Sequence, residues 1–309
     1  MKNILESIIE EKGLAILDGA LATELEARGA NLNHSLWSAK LLKENPQLIQ
    51  QVHYDYLMAS ANIITTASYQ ASFDGFAKNG YSKEEAISLM RLSVQLALQA
   101  KEQFLQTYPQ QKPPIIAASI GPYGASLADG SEYRGNYGVS IATLKLFHYE
   151  RMKILAETGA DIFAFETIPC KEEAIALMEV VKQFPTMQAW ISFSCKDAEH
   201  ISSGEPFSEV VQLINQSNNI IAVGVNCTAP SFIPSLLTIA KANTQKLIIV
   251  YPNKGETWDA EHKCWISTSA HTSSYIDDAT IWFKAGANII GGCCRTNPSD
   301  IQQLQQLTH

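Results

Sequence analysis

The feature that most constrains this chain is a rhythm. Eight short apolar runs, each followed by a stretch with helical spacing, are strung along its whole length. The runs are Leu14–Ala20, Asn62–Tyr69, Pro114–Gly121, Asp161–Thr167, Gln188–Cys195, Ile220–Cys227, Leu247–Asn253 and Ala287–Gly292. They are nearly continuously apolar, as parallel strands covered by helices are. The segments between them predict helices over Leu21 to Arg28, Leu36 to Leu42, Pro46 to Ser60, Lys83 to Thr107, Ser140 to Thr158, Lys171 to Gln183, Phe207 to Gln216, Pro230 to Ala242, Ala270 to Ala285 and Pro298 to Leu307. With no linker or composition break, eight such units predict a single α/β unit over residues 1–309, a (β/α)8 TIM-type barrel. A doubly wound open sheet is the competing architecture, but no Gly-rich phosphate fingerprint follows the first run. One connection stands apart. The stretch from Tyr123 to Gly138 is rich in Gly and Tyr, and long loops in compact domains are often functional.

Composition excludes several classes of function. Among 309 residues, 23 basic against 31 acidic side chains leave a net charge of −8, which argues against a nucleic-acid or anionic-membrane surface. No apolar run reaches the ~18 residues of a spanning helix. Met1 to Lys12 mixes acids with apolar residues and reads as an amphipathic helix, not a signal peptide. Six cysteines without secretory features predict reduced thiols and a cytoplasmic protein.

The residues able to do chemistry stand at the C-terminal ends of the runs. They are Asp18, Ser68-Tyr69-Gln70, Glu166, Cys227, Asn253 and Cys293-Cys294. In a barrel all these ends meet on one face, where active sites lie. Adjacent cysteines do not readily bond to each other, but Cys293 and Cys294 can share a soft metal with Cys227, and three protein ligands with one open position is the pattern of catalytic zinc. Three thiolates leave Zn²⁺ with a net charge of about −1, a poor activator of water but a good site for a further thiolate. The chemistry so implied is attack by a metal-activated thiol on a cationic sulfonium or quaternary ammonium. The remaining cysteines, Cys170, Cys195 and Cys264, read as small buried residues, with Cys195 as the spare ligand. Asp18 and Glu166 are candidates for holding a substrate ammonium; the competing reading of Asp18 is a helix N-cap, and that of Glu166 a partner for Arg295. Ser68, Ser119 and the backbone amides of Gly19 and Ala20 are candidates for a substrate carboxylate. Trp37, Tyr123, Tyr133 and Tyr137 are candidates for an aromatic pocket around a methyl-onium cation. His53, His200, His262 and His271 show no ligand spacing.

These residues fall into longer stretches that resemble the zinc-dependent homocysteine S-methyltransferases, in particular the bacterial S-methylmethionine-using enzymes. The stretches are Asp18-Gly19-Ala20, Ala22 to Gly29, Leu36-Trp37-Ser38-Ala39, Ala67 to Ala71, Gly121 to Ala125, Asp129 to Gly135, Glu166-Thr167-Ile168-Pro169, Gly224-Val225-Asn226-Cys227 and Gly291 to Thr296. The resemblance implies zinc on Cys227, Cys293 and Cys294, Asp18 and Glu166 on the homocysteine amino group, and Asn253 as a fourth ligand before substrate binds. It implies small-molecule substrates, homocysteine with S-methylmethionine or, less efficiently, S-adenosylmethionine. Betaine-using relatives carry a longer C-terminal extension, and cobalamin-dependent ones add further modules. Three other readings stay open at this point: another thiol or selenol acceptor, betaine as donor, or a non-enzymatic barrel with structural or redox-sensing zinc.

Overall fold

The computed structural model describes residues 3–32, 36–255, 257–259, 264–266 and 273–308, with only the backbone at 37–38, 257–259 and 264–266. Ten strands follow in chain order: β1 Ala15–Ile16, β2 Ile63–Thr65, β3 Ile115–Ile120, β4 Ile162–Ile168, β5 Gln188–Phe193, β6 Ile220–Asn226, β7 Leu247–Tyr251, β8 Thr257–Asp259, β9 Cys264–Ile266 and β10 Ile289–Ile290. Eight of them form one sheet in the order β1-β10-β7-β6-β5-β4-β3-β2, every neighbouring pair parallel. The ring closes between its ends. Leu17 bridges Ile63 in parallel, the Asn62 amide donates to the Ile16 carbonyl at 2.7 Å, and the Asp18 amide donates to Ile63 at 3.0 Å. The expected (β/α)8 barrel is therefore the observed fold, and the open sheet is not.

Except for β4, each strand is shorter than the run that announced it, because the last residues of the run leave the ladder and become the rim. Side chains alternate across the barrel wall, as strand geometry requires. Ala15, Ile115, Ala117, Ile162, Ala164, Trp190, Ala222, Ile249 and Ile289 cluster inside, whereas Ile116, Ala118, Phe163, Phe165, Ile191, Val223 and Ile248 pack under the helices. Continuing the inner period by two residues, or by four past Ala222, puts Ser119, Glu166, Ser192, Asn226 and Tyr251 in the layers above. They are bonded to one another there, a polar storey on an apolar floor. At the opposite end, the helix Glu6–Lys12 lays Leu5 and Ile8 against the inner cluster.

The outer helices follow their sequence signals. Ser82 and Glu85 form a capping box ahead of the helix Lys83–Thr107, and Ser274 and Asp277 form another ahead of Tyr275–Ala285. Local details differ from these expectations or lie outside the described residues. The Leu36 to Leu42 helix is a 3-10 turn, Trp37–Lys40, running into a helical turn Leu41–Glu44. The helix expected from Ala270 is described only from Tyr275, residues 267–272 lying outside the described residues. An unforeseen antiparallel hairpin, β8–β9, stands between β7 and that helix. The stretch after β3 is not an open loop: it folds into a helix, Tyr123–Leu127, and a 3-10 turn, Ser131–Tyr133. Among the described residues no helix is long and apolar enough to cross a membrane.

Candidate metal centre and active site

Cys227 follows the last residue of β6, with a left-handed backbone (φ 46°) uncommon outside glycine. Cys293 and Cys294 follow β10. The intervening strand β7 ties the two tips together: the Cys227 amide donates to Tyr251 O at 3.3 Å, the Cys293 amide to Pro252 O at 2.9 Å, and the Lys254 amide to Cys294 O at 3.1 Å. Gly291 and Gly292 allow this approach. A Cβ on Gly291 would stand 2.6 Å from Leu17 Cβ, and one on Gly292 would collide with Thr296. All three sulfurs consequently lie within 4.8 Å of one another, with Cys293 Sγ and Cys294 Sγ at 4.0 Å.

The expectation of reduced thiols fails for one pair. Cys227 and Cys293 are joined as a disulfide, their Cα atoms 5.4 Å apart, while Cys170, Cys195 and Cys294 are free. The reason is proximity: with only β7 between their strands, the two residues lie within disulfide range, where their sulfurs either bond or share an ion. Burial pushes the Cys294 thiol up to about 12, so at neutral pH it ionises only with a cation to replace its proton. A fourth donor stands ready. Asn253, whose amide donates to Thr228 O at 3.1 Å, has a buried Oδ1 without a hydrogen-bond partner. Three soft sulfurs beside an unsatisfied oxygen fit a thiophilic ion such as zinc. Cys195 does not join them; its amide is held by Thr228 Oγ1 and its thiol is buried.

The two acids converge on the same end of the barrel. Asp18 is not a helix cap, since Ala20 holds that position in front of Leu21–Ala27 and no side chain caps it. The Asp18 carboxylate instead accepts from the Thr65 amide at 2.8 Å and from its hydroxyl at 3.2 Å. Glu166 accepts from the hydroxyls of Ser119 and Tyr251. Burial raises both carboxyl groups, Asp18 well above its usual range and Glu166 to about 7, and the nearby Glu166 charge pushes Asp18 further. Among the described residues no ion pair involves either acid; Arg295 lies within reach of Glu26. Two buried acids without a counter-ion make a receptor for one.

Other expected residues divide. The Ala20 amide donates to Thr296 Oγ1 at 3.2 Å, and Gly19 packs against Tyr56 and Thr296. The Ser68 hydroxyl is committed to Ser119 O at 2.7 Å, bracing β2 against β3. Tyr123 and Tyr137 turn away from the rim, packing on each other, with Tyr123 also against Phe147 and Tyr137 donating to Glu173 at 2.8 Å. Tyr133 and Tyr69 are the aromatics within electrostatic reach of Cys294. The side chain of Trp37 lies outside the described residues, as do His262, His271 and the side chain of Cys264. His53 is buried within its helix and His200 is held by Asp197 at 3.0 Å.

Several supporting residues were not foreseen. Asn226 Oδ1 accepts from the Thr167 amide at 2.7 Å and from Ser192 Oγ at 2.8 Å, locking the tip of β4 to that of β6 one residue before Cys227. Thr65, Ser192, Tyr251 and Thr296 serve similarly. Their signal was available, since the inner-face period of each strand carries on into them.

Comparison with known proteins agrees with this geometry. The family model described as homocysteine S-methyltransferase matches residues 15–308. The homocysteine S-methyltransferase YbgG of Bacillus subtilis is 52% identical over 305 residues, covering 98% of this chain and 96% of that protein. The metallated form of the Escherichia coli homocysteine methyltransferase MmuM is similar with a TM-score of 0.89 at 42% identity, covering 98% of this chain and 99% of that one. The oxidised form of MmuM gives 0.90 at 43% identity over 99% of both chains. A match across nearly the whole chain, with the three sulfurs gathered at one barrel end, means that this protein belongs to the homocysteine S-methyltransferase family.

Proposed function

We propose that this chain, acting as one barrel over residues 1–309, methylates the thiol of homocysteine from a sulfonium donor. The donor is S-methylmethionine, with S-adenosylmethionine less efficient, and zinc is held by Cys227, Cys293 and Cys294 once the Cys227–Cys293 bond is reduced. The observation that carries the reading is the meeting of three sulfurs within 4.8 Å and two buried acids without a cation at the same barrel end. Bound there, zinc supplies soft Lewis acidity that lets a thiol lose its proton at neutral pH.

The chain's own residues do the rest. Asp18 and Glu166 bind the substrate ammonium, Thr65 orients the first, and Ser119 with Tyr251 orients the second. The Gly19–Ala20 edge receives the substrate carboxylate, and Ser68 braces the wall behind it. Asn253 Oδ1, buried without a hydrogen-bond partner, would be the fourth donor to the metal. Held in line, the thiolate attacks the methyl carbon, the carbon–sulfur bond of the donor breaks, and a neutral thioether leaves. From S-methylmethionine, two molecules of methionine result. Positioning and exclusion of water supply the acceleration, and no general base is needed at methyl transfer. The reading places the enzyme in the cytoplasm.

The test is a parallel assay of the zinc-loaded protein with homocysteine and each of S-methylmethionine, S-adenosylmethionine and betaine. Methionine should form fastest with S-methylmethionine and not with betaine. A preference for betaine, or no methionine from any donor, would refute the assignment.

A further inference from the structure

Glu132 stands out among the charged side chains near the rim. It lies in the 3-10 turn Ser131–Tyr133, which is folded over the barrel mouth and firmly held. The Gly135 amide donates to Ser131 O at 2.9 Å, the Glu132 carbonyl accepts from Ser194 Oγ at 3.3 Å, and Gly124 passes so close that a Cβ there would stand 2.6 Å from Glu132 N. The carboxylate this turn presents is unsatisfied: Oε2 is buried and has no hydrogen-bond partner. The cation of the same turn, Arg134, faces Asp129 at 3.7 Å and Ser131 Oγ at 3.0 Å, with a side chain 66% exposed. The surroundings of Glu132 are those of the metal centre. Cys294, Tyr69 and Tyr133 each lie within its electrostatic reach. Burial raises its carboxyl group above the usual range, against the pull of its own backbone amide and of the Arg134 charge.

A buried carboxylate beside two tyrosine rings and a thiolate centre selects a compact cation that makes few hydrogen bonds. A sulfonium has that character. We propose that Glu132 is the counter-ion for the sulfonium group of the methyl donor. This rests on the proposed function and adds the residue that reads the donor's charge. It also fixes how the residue acts. As the methyl group moves from donor sulfur to acceptor sulfur, the new carbon–sulfur bond takes the thiolate's electron pair, the old bond leaves its pair on the donor, and the positive charge vanishes. Glu132 therefore holds the cationic ground state more tightly than the transition state, serving donor affinity and release of the uncharged product more than the rate of transfer.

The experiment compares zinc-loaded wild type with Glu132→Gln and Glu132→Asp. With saturating homocysteine, Glu132→Gln should raise the KM for S-methylmethionine and for S-adenosylmethionine in parallel, by roughly tenfold or more, as for loss of a buried charge partner. Its kcat should be unchanged or higher, its KM for homocysteine within about threefold of wild type, and Glu132→Asp should recover part of the loss. Calorimetry gives a readout besides turnover. S-methylmethionine and methionine differ at the donor sulfur by one methyl and one charge, so wild type should prefer the former by about tenfold and Glu132→Gln should lose the preference. A retained preference, an unchanged donor KM, or a fall in kcat with both KM values raised together would overturn the assignment. A wild-type protein inactive with every sulfonium would instead refute the proposed function.

Discussion

Glu166 and Glu173 lie seven residues apart, one at the tip of β4 and the other in the helix Lys171–Val181 that follows, and the fold treats them oppositely. Glu173 is wholly buried and fully engaged. It accepts from the Tyr123 amide at 2.6 Å, from Tyr137 OH at 2.8 Å and meets His148 Nε2 at 2.9 Å. Arg151, buried beside it, donates to Gly121 O at 3.1 Å, Ser68 O at 3.2 Å and Tyr69 O at 2.8 Å. Burial lowers that guanidinium to about 10, and the Glu173 charge opposes the shift. This group pins the segment after β3 to the barrel wall. Glu166, as deeply buried, has two hydroxyl donors and no cation. A satisfied buried charge holds structure together, whereas one left short of a counter-ion is held at a cost in stability that only a ligand removes.

The comparison can be broken in four ways, from the largest expected effect downward. Cys294→Ala should remove stoichiometric zinc and reduce turnover to background, read by metal analysis and methionine formation; full zinc with full rate would detach the sulfurs from the chemistry. Glu173→Gln should cost about 3 kcal/mol or more of stability in denaturant titration, as for breaking a buried charged pair, while metal content is retained. Glu166→Gln should reverse that pattern, lowering kcat/KM for homocysteine by about a hundredfold, some 2–3 kcal/mol, without loss of stability. The smallest effect is on pH dependence. The folded-state value of Glu166, about 7, lies above its ordinary 4.5, so the folded protein binds the extra proton between them and stability falls as pH rises through that window. The stability gap of Glu166→Gln over wild type in the metal-free protein should widen from near zero below pH 4.5 to about 1–3 kcal/mol above pH 7.

Much of this was legible in the chain. Eight runs ending in polar residues imposed a barrel, and the tips of those runs named the sulfurs and both acids. Strand alternation, followed toward the end of each run, also leads to Ser119, Ser192, Asn226 and Tyr251, the residues that orient the site. What escaped depends on side-chain direction outside regular strands. Three tyrosines in one stretch look alike in sequence, yet the short helix Tyr123–Leu127 turns Tyr123 outward to Phe147, and the next turn brings Tyr133 toward Cys294. Asp18 had two local roles open to it, and closure of the ring between β1 and β2 removed the helix cap by placing Thr65 beside its carboxylate. The approach of Cys227 to Cys293 was legible in the run ends, but the bond between them was not, because sulfurs so placed can either bond or share an ion.

The central claim is that Cys227, Cys293 and Cys294 form a metal centre with one replaceable position. X-ray absorption at the zinc edge of the metal-loaded protein tests it most directly. The expected shell is three sulfurs and one light atom, with the light atom replaced by a fourth sulfur when homocysteine is added. A shell of four sulfurs before substrate, or one that homocysteine leaves unchanged, would contradict the claim.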